Sequence, residues 1–472
     1  MKYISLALLF STKVFASSVF YEPKELQKDE KDYNISHQTS LAVAIGDNHF
    51  NGGNQEPLNG FQKSRINVNS LVEISDIEKN HKAVAEFRLG TNAMEDRSSM
   101  VYLNQGYIEM QNTESQPLRA KVSFGLQNTA SHTLAVNSST VMKNSQGLSG
   151  QWYRFIQMPV INQNGGYNST FILQNSSLIS QGFGDATFLN SQNNGLLNYV
   201  QPNPNWSTTN VGIGFSIQRI AGFKTSFTYQ PFGNSGNFNG TTGNAGFDRR
   251  GIATNAGTGM FMKDITSFAI NYLNEWKGIS LNTTLSAEMA NFQRNSTVTI
   301  DRNRIAQYTF GINLSYIGFT FGGSYSHSGQ SLLLKPNAGQ INSFATTNES
   351  NLAVSSISNL TQLQNVANTT NLLQYQDAYN YDYGISYAFS RYQIGIAQNR
   401  SRFMNNEANA TVISLSEDLK SFGGIKLTTA FEAGMYEFNP ASYFVNNGGV
   451  ISIAKPKKTN GYFGYFSLIA SI

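Results

Sequence analysis

The sequence predicts an all-β chain that closes into a transmembrane, antiparallel up-and-down barrel of about sixteen strands. Three observations lead there. Only 13% of the 472 residues are charged, against roughly 25% in ordinary soluble domains. Hydrophobic residues reach 40% with a mean hydropathy of −0.30, yet no run of about 18 apolar residues exists to form a membrane helix. Apolar and polar residues alternate with a period of two along most of the chain, which is the strand signature. A closed barrel is the remaining way to cross a bilayer with every backbone N–H and C=O satisfied.

Taken in order, Lys2, the apolar stretch Ile4 to Phe10 and the small-residue site Val14-Phe15-Ala16 predict an export leader over residues 1–16. Residues 17–35 read as a solvated tail carrying the charged run Glu22 to Asp32. The barrel proper is expected over 36–472, with strands near 36–46, 64–76, 80–90, 100–112, 116–127, 209–218, 222–230, 264–275, 278–291, 304–316, 318–327, 377–389, 391–400, 408–418, 422–436 and 460–472. In the second of these Ile66, Val68, Val72 and Ile74 oppose Arg65, Asn67, Asn69 and Glu73; in the third Ala83, Ala85, Phe87 and Leu89 oppose Glu86 and Arg88. In the fifth Leu118, Ala120, Val122, Phe124 and Leu126 oppose Arg119, Lys121, Ser123 and Gln127. The fourth, Val101 to Met110, lacks a clean apolar face because Gln105 and Glu109 share a side with Val101, Leu103 and Tyr107. Either a protein–protein seam or a local bulge accounts for that.

Connections alternate in length. Tight turns at Ile77–Lys79, Thr113–Ser115, Ile220–Gly222, Trp276–Lys277, Ile317–Gly318, Ser390–Arg391 and Leu419–Gly423 are separated by long loops rich in Asn, Gly and Ser, the rhythm of short turns on one side of a membrane and long loops on the other. The third long loop, about 128–208, far exceeds ordinary loop length. It contains Trp152, Tyr153, Phe155, Phe171, Phe183 and Phe188, which either anchor it to the wall or stack on sugar faces.

Several function classes are excluded. There is no Cys, hence no disulfide, lipidated Cys or thiolate metal site. A net charge of +4 is too small and scattered for nucleic acid. The histidines, His37, His49, His81, His132 and His327, show no metal-hydrolase spacing, and G-x-S-x-G does not occur. Scattered groups such as His81, Asp96 and Ser98 do not make an enzyme, and no metal or other cofactor is implied.

The ordered fragments Ser64-Arg65-Ile66-Asn67-Val68, Lys82 to Arg88, Gln105-Gly106-Tyr107-Ile108 and Arg119 to Gly125, followed by Gly182-Phe183-Gly184-Asp185-Ala186-Thr187 inside the long loop, resemble the general porins of Gram-negative bacteria. These are typically trimers of 16-stranded barrels whose third loop folds inward. The resemblance spans the mature chain as topology. It implies passive diffusion of ions and small hydrophilic solutes through a water-filled pore, residence among the lipid and lipopolysaccharide of the outer membrane, and a homotrimer. Two features depart from the pattern: the chain ends Ala470-Ser471-Ile472 where the family favours a terminal aromatic, and Asp185 is the only carboxylate of the loop.

On this reading the pore lining is formed by Arg65, Glu73, Glu86, Arg88, Arg119 and Lys121, with Asp185 opposite. Four bases against two acids on the wall predict a weak preference for anions or neutral solutes. The alternative is that these charges neutralise one another between neighbouring strands. Two other functions stay open: a channel specific for a sugar or carboxylate, and a non-conducting barrel acting as adhesin or surface antigen.

Overall fold

The computed structural model describes residues 33–51, 63–76, 81–92, 96–111, 120–138, 141, 157–161, 167–172, 210–232, 246–247, 253–254, 260–294, 304–329, 377–403, 406–419, 425–439, 443–447, 450–454 and 458–471. Sixteen antiparallel strands form one closed barrel. They are β1 (Tyr33–Asn51), β2 (Lys63–Asp76), β3 (His81–Asn92), β4 (Asp96–Gln111), β5 (Ala120–Gln127), β8 (Asn210–Ile220), β9 (Phe223–Phe232), β12 (Met260–Trp276), β13 (Ile279–Arg294), β14 (Ile305–Tyr316), β15 (Phe319–Gly329), β16 (Ala378–Phe389), β17 (Tyr392–Phe403), β18 (Asn406–Asp418), β19 (Lys426–Asn439) and β22 (Thr459–Ser471). Closure comes from β1 pairing with β22, from Ser40 opposite Ser471 to Asn51 opposite Asn460, which leaves no free sheet edge. The third loop contributes the one-turn helix α1 (Ala130–Thr133) and a hairpin of β6 (Gln157–Ile161) and β7 (Tyr167–Ile172); later loops contribute β10 (Gly246–Phe247) with β11 (Ala253–Thr254), and β20 (Tyr443–Asn447) with β21 (Val450–Ala454).

Sidedness follows from the alternation of side chains along each strand. The apolar set is outside: Phe310, Phe321, Ile385, Ile413 and Phe431 are 45–55% exposed, a burial no water-soluble core would leave. Aromatics bound this belt at both ends. At the turn end Phe223 packs on Tyr272, Phe319 on Tyr387 and Phe389 on Tyr392; at the loop end Tyr379, Tyr381 and Tyr383 stack in a ladder. Tyr308 and Tyr316 mark both limits on β14, eight residues apart, or about 26 Å of strand. Among the described residues no helix is long and apolar enough to cross a membrane; crossing is left to the strands.

Turn chemistry explains the hairpins. Ala221-Gly222, Lys277-Gly278 and Ile317-Gly318 all have positive φ at both positions, the two-residue turn whose twist matches that of paired strands. The predicted turns at 77–79 and 113–115 lie outside the described residues. One loop-end connection departs from the expected rhythm: β17 ends at Phe403 and β18 begins at Asn406, with Arg402 bound to Glu407 across the joint at 2.6 Å. The fourth strand resolves as a bulge. Glu86 pairs with Gln105 while Phe87 pairs with Leu103, so Asn104 is the extra residue, and positions 101 and 103 belong to the opposite face from Gln105, Tyr107 and Glu109. The first strand starts at Tyr33, three residues into the predicted tail; the leader and the charged run lie outside the described residues.

Candidate functional site: a channel wall with an inturned loop

Inside the barrel, the wall carries mostly uncharged polar side chains and glycine, with a few acids among them. β14 presents Gln307, Thr309, Gly311 and Asn313; β15 presents Gly322, Ser324, Ser326 and Ser328; β16 presents Asn380, Asp382, Gly384 and Ser386, all buried. The third loop is what buries part of them. After Gln127 the chain turns off β5 and runs along the inner wall across seven neighbouring strands.

The contacts succeed one another in strand order. Gln230 on β9 donates Nε2 to the Gln127 carbonyl at 2.9 Å, and the Ala130 N–H donates to Thr228 Oγ1 at 3.0 Å. The Ser131 N–H donates to Ser267 Oγ on β12 at 2.9 Å, and Ser131 Oγ to Glu288 Oε2 on β13 at 2.7 Å. Thr284 Oγ1 donates to the Leu134 carbonyl at 2.6 Å. On β14 and β15 the wall is notched: a Cβ on Gly311 would overlap the Val136 carbonyl oxygen, and one on Gly322 would lie 2.6 Å from Val141 Cγ2. Asp382 on β16 accepts the Ser138 N–H at 2.5 Å and the Ser324 hydroxyl. Finally Ser386 Oγ and Gln393 Nε2, on β16 and β17, donate to the Val141 carbonyl at 2.7 and 3.1 Å. Seven strands at about 4.8 Å spacing make roughly 30 Å of wall, which the stem from Ala130 to Val141 spans. A small apolar contact of Ala130, Leu134 and Ala269 seats its first turn.

The hairpin β6–β7 then lies against β22 and β1. The described loop is thus fastened along β9 to β17 and at β22 and β1, and the arc from β2 to β8 is the longest stretch of wall that the described residues leave uncovered. Five of the seven predicted lining residues lie on described strands of that arc. Arg65 pairs across to Asn92 and Arg88 to Asn69, while Glu86 sits between Leu71 and Gln105; their side chains are not described. Glu73 is opposite Val84 and half-buried. Arg65 and Glu73 are eight residues apart on β2, about 26 Å of strand, so the set runs along the channel instead of ringing one level. Lys121, near the turn end, is bound to Glu109 at 2.6 Å. Arg119 and Asp185, with Trp152, Tyr153, Phe155, Phe183 and Phe188, lie outside the described residues.

Sequence reasoning missed the wall groups that hold the stem: Thr228, Ser267, Glu288, Thr284 and Asp382. Periodicity marked their face but could not show that a loop lies on it. Asp382 and Glu288, acids on otherwise uncharged inner rows, were the available signal. Among the described residues no group of His, Asp or Glu suits a metal ion.

No protein-family model matches the chain, and no curated protein matches it. Solved structures do. The in-vitro folded OmpT, an outer membrane protein of Vibrio cholerae in its trimer form, is 10% identical, with 93% of this chain and 99% of that one covered and a TM-score of 0.44. Salmonella typhi OmpF in complex with daunomycin is 9% identical over 92% of this chain and 97% of that one, TM-score 0.45. An anion-selective porin from Comamonas acidovorans is 10% identical over 93% and 100%, TM-score 0.41. The functional reading rests on this chain's own wall and loop.

Proposed function

We propose that this protein is an outer-membrane porin: a water-filled barrel through which ions and small hydrophilic solutes diffuse, exported behind a leader over residues 1–16, embedded among lipid and lipopolysaccharide, and assembled as a homotrimer. One observation carries the reading. A loop stem that lies across seven strands and is hydrogen-bonded to five of them, from Thr228 to Gln393, narrows the barrel at a fixed place, and among the described residues it leaves the arc from β2 to β8 uncovered. The chemistry is physical: exclusion by size, and selection by charges fixed on a low-dielectric wall. No covalent step is required of any residue.

Purified protein in planar bilayers should give discrete conductance steps, and vesicles containing it should swell in small sugars. A barrel that gives neither is closed, and a surface-antigen role then replaces the porin reading.

A second reading, a channel narrowed for a particular sugar or carboxylate, is favoured by the burial of Ser326, Asn380 and Ser467, all at 0% exposure on the inner wall. Water cannot run along those rows, so the open path is narrower than the barrel. Block of the conductance by one millimolar solute and not by its analogues distinguishes this reading from general diffusion.

A further inference from the structure

The turn end of the channel carries a cluster of bases that joins Lys121 of the predicted lining to two residues outside that set. Lys121 (β5), Arg219 (β8) and Lys224 (β9) sit on three adjacent strands: Lys121 is opposite Ser216, Ser216 opposite Ser226, and Lys224 opposite Asn271 on β12. Lys224 lies within electrostatic reach of both Lys121 and Arg219. The Arg219 guanidinium is held toward the inner wall, one arm donating to Asn271 Oδ1 at 2.5 Å and the other to the Gly222 carbonyl; Asn271 is itself tied to Asn282 and Thr284. Among the described residues only Glu109 answers these cations nearby, and it is taken by Lys121. Among the described residues, three bases and one acid leave two positive charges at this level of the channel.

The surroundings let water and solute reach them. The Ser216 and Ser226 side chains beside the cluster are half-exposed, and Lys121 keeps 28% exposure, in contrast to the buried rows under the loop. Elsewhere on the same rim Arg391 is matched with Glu417 at 3.0 Å and Lys426 with Asp418 at 3.9 Å, and Glu275 is exposed on β12. Unmatched charge on one side of a low-dielectric cylinder concentrates counter-ions there. A guanidinium beside an ammonium and two hydroxyls offers several N–H and O–H donors, which suits an oxyanion better than a halide.

We propose that Arg219 and Lys224, with Lys121, form an anion-selecting site at the turn-end mouth of the channel, taking small solutes that bear a carboxylate or phosphate. This rests on the pore reading and deepens it: the mouth, and not the loop-lined constriction, sets the sign of selectivity.

The test uses the full-length protein in planar bilayers across a potassium chloride gradient, with inorganic phosphate as the probe. The wild type should show a reversal potential of the anion-favouring sign, and millimolar phosphate should reduce its chloride current. Arg219→Gln with Lys224→Gln should keep the conductance steps but shift the permeability ratio severalfold toward potassium and remove the phosphate effect. Lys224→Arg, which keeps the charge if the turn tolerates no neutral residue, should behave as wild type. Lys277→Gln, at a neighbouring turn where the ammonium sits 5.1 Å over Trp276, should change nothing. Channels that open normally with the same ratio and phosphate response in wild type and double variant overturn the site alone. Absence of steps in the wild type overturns the pore reading, and the site with it.

Discussion

Asp382 shows what one wall residue does for the loop. Its carboxylate is buried on β16 and accepts from the Ser138 backbone and the Ser324 hydroxyl, so it joins the stem to two strands at once. Removing the acceptor strands two buried donors, at about 1–3 kcal/mol each. Asp382→Ala should therefore loosen the stem: single-channel conductance rises or becomes noisy, and protease cuts the loop faster, while the barrel stays folded. Asp382→Asn keeps a carbonyl acceptor and should fall between the two. Unchanged conductance and protection in Asp382→Ala would show that the stem is held without it. Gly311 and Gly322 serve the same contact by having no side chain. In the sequence they are indistinguishable from other small residues on a polar face.

Hairpins are the elements that sequence reading resolved best. A turn residue with positive φ followed by glycine is a local signal, so the ends at Ile220, Trp276 and Tyr316 were legible within a residue or two. Gly278 has φ +79 and open space around its Cβ position, so only backbone strain opposes a side chain there. Gly278→Val should cost roughly 1–2 kcal/mol, read as a lower urea midpoint for unfolding from detergent with unchanged conductance; Gly278→Asn should cost less, because Asn tolerates that conformation. The bulge in β4 is the contrasting case. Two faces were visibly mixed in Val101 to Met110, but a seam and a bulge give the same pattern in one strand, and only pairing with β3 separates them. The two-residue joint between β17 and β18 was hidden too, because Asn and Glu flank it as they flank the longer loops.

At the scale of the whole molecule, the apolar belt and the polar lumen are one design, since each strand supplies alternate residues to both. Ile312 lies mid-belt on β14, four residues from each aromatic limit at Tyr308 and Tyr316 and on the same face as both. Ile312→Arg should destabilise the barrel in bilayers by about 2–4 kcal/mol, the cost of a base at the middle of the membrane, measured as a shift in denaturant midpoint on refolding into vesicles. Unaltered stability would mean that the belt does not meet lipid there.

By itself, the sequence determined strand number, sidedness, turn positions and the presence of an outsized third loop. These depend on period-two alternation and on local φ preferences, which act between residues near in sequence. It did not determine where that loop goes, which wall residues grip it, or that Lys121, Arg219 and Lys224 share one level of the channel. Those follow from contacts between positions some 100 to 250 residues apart, as between Ser131 and Ser267 or Val141 and Gln393. Such contacts exist only once sixteen strands have closed and fixed the stagger of each against its neighbours.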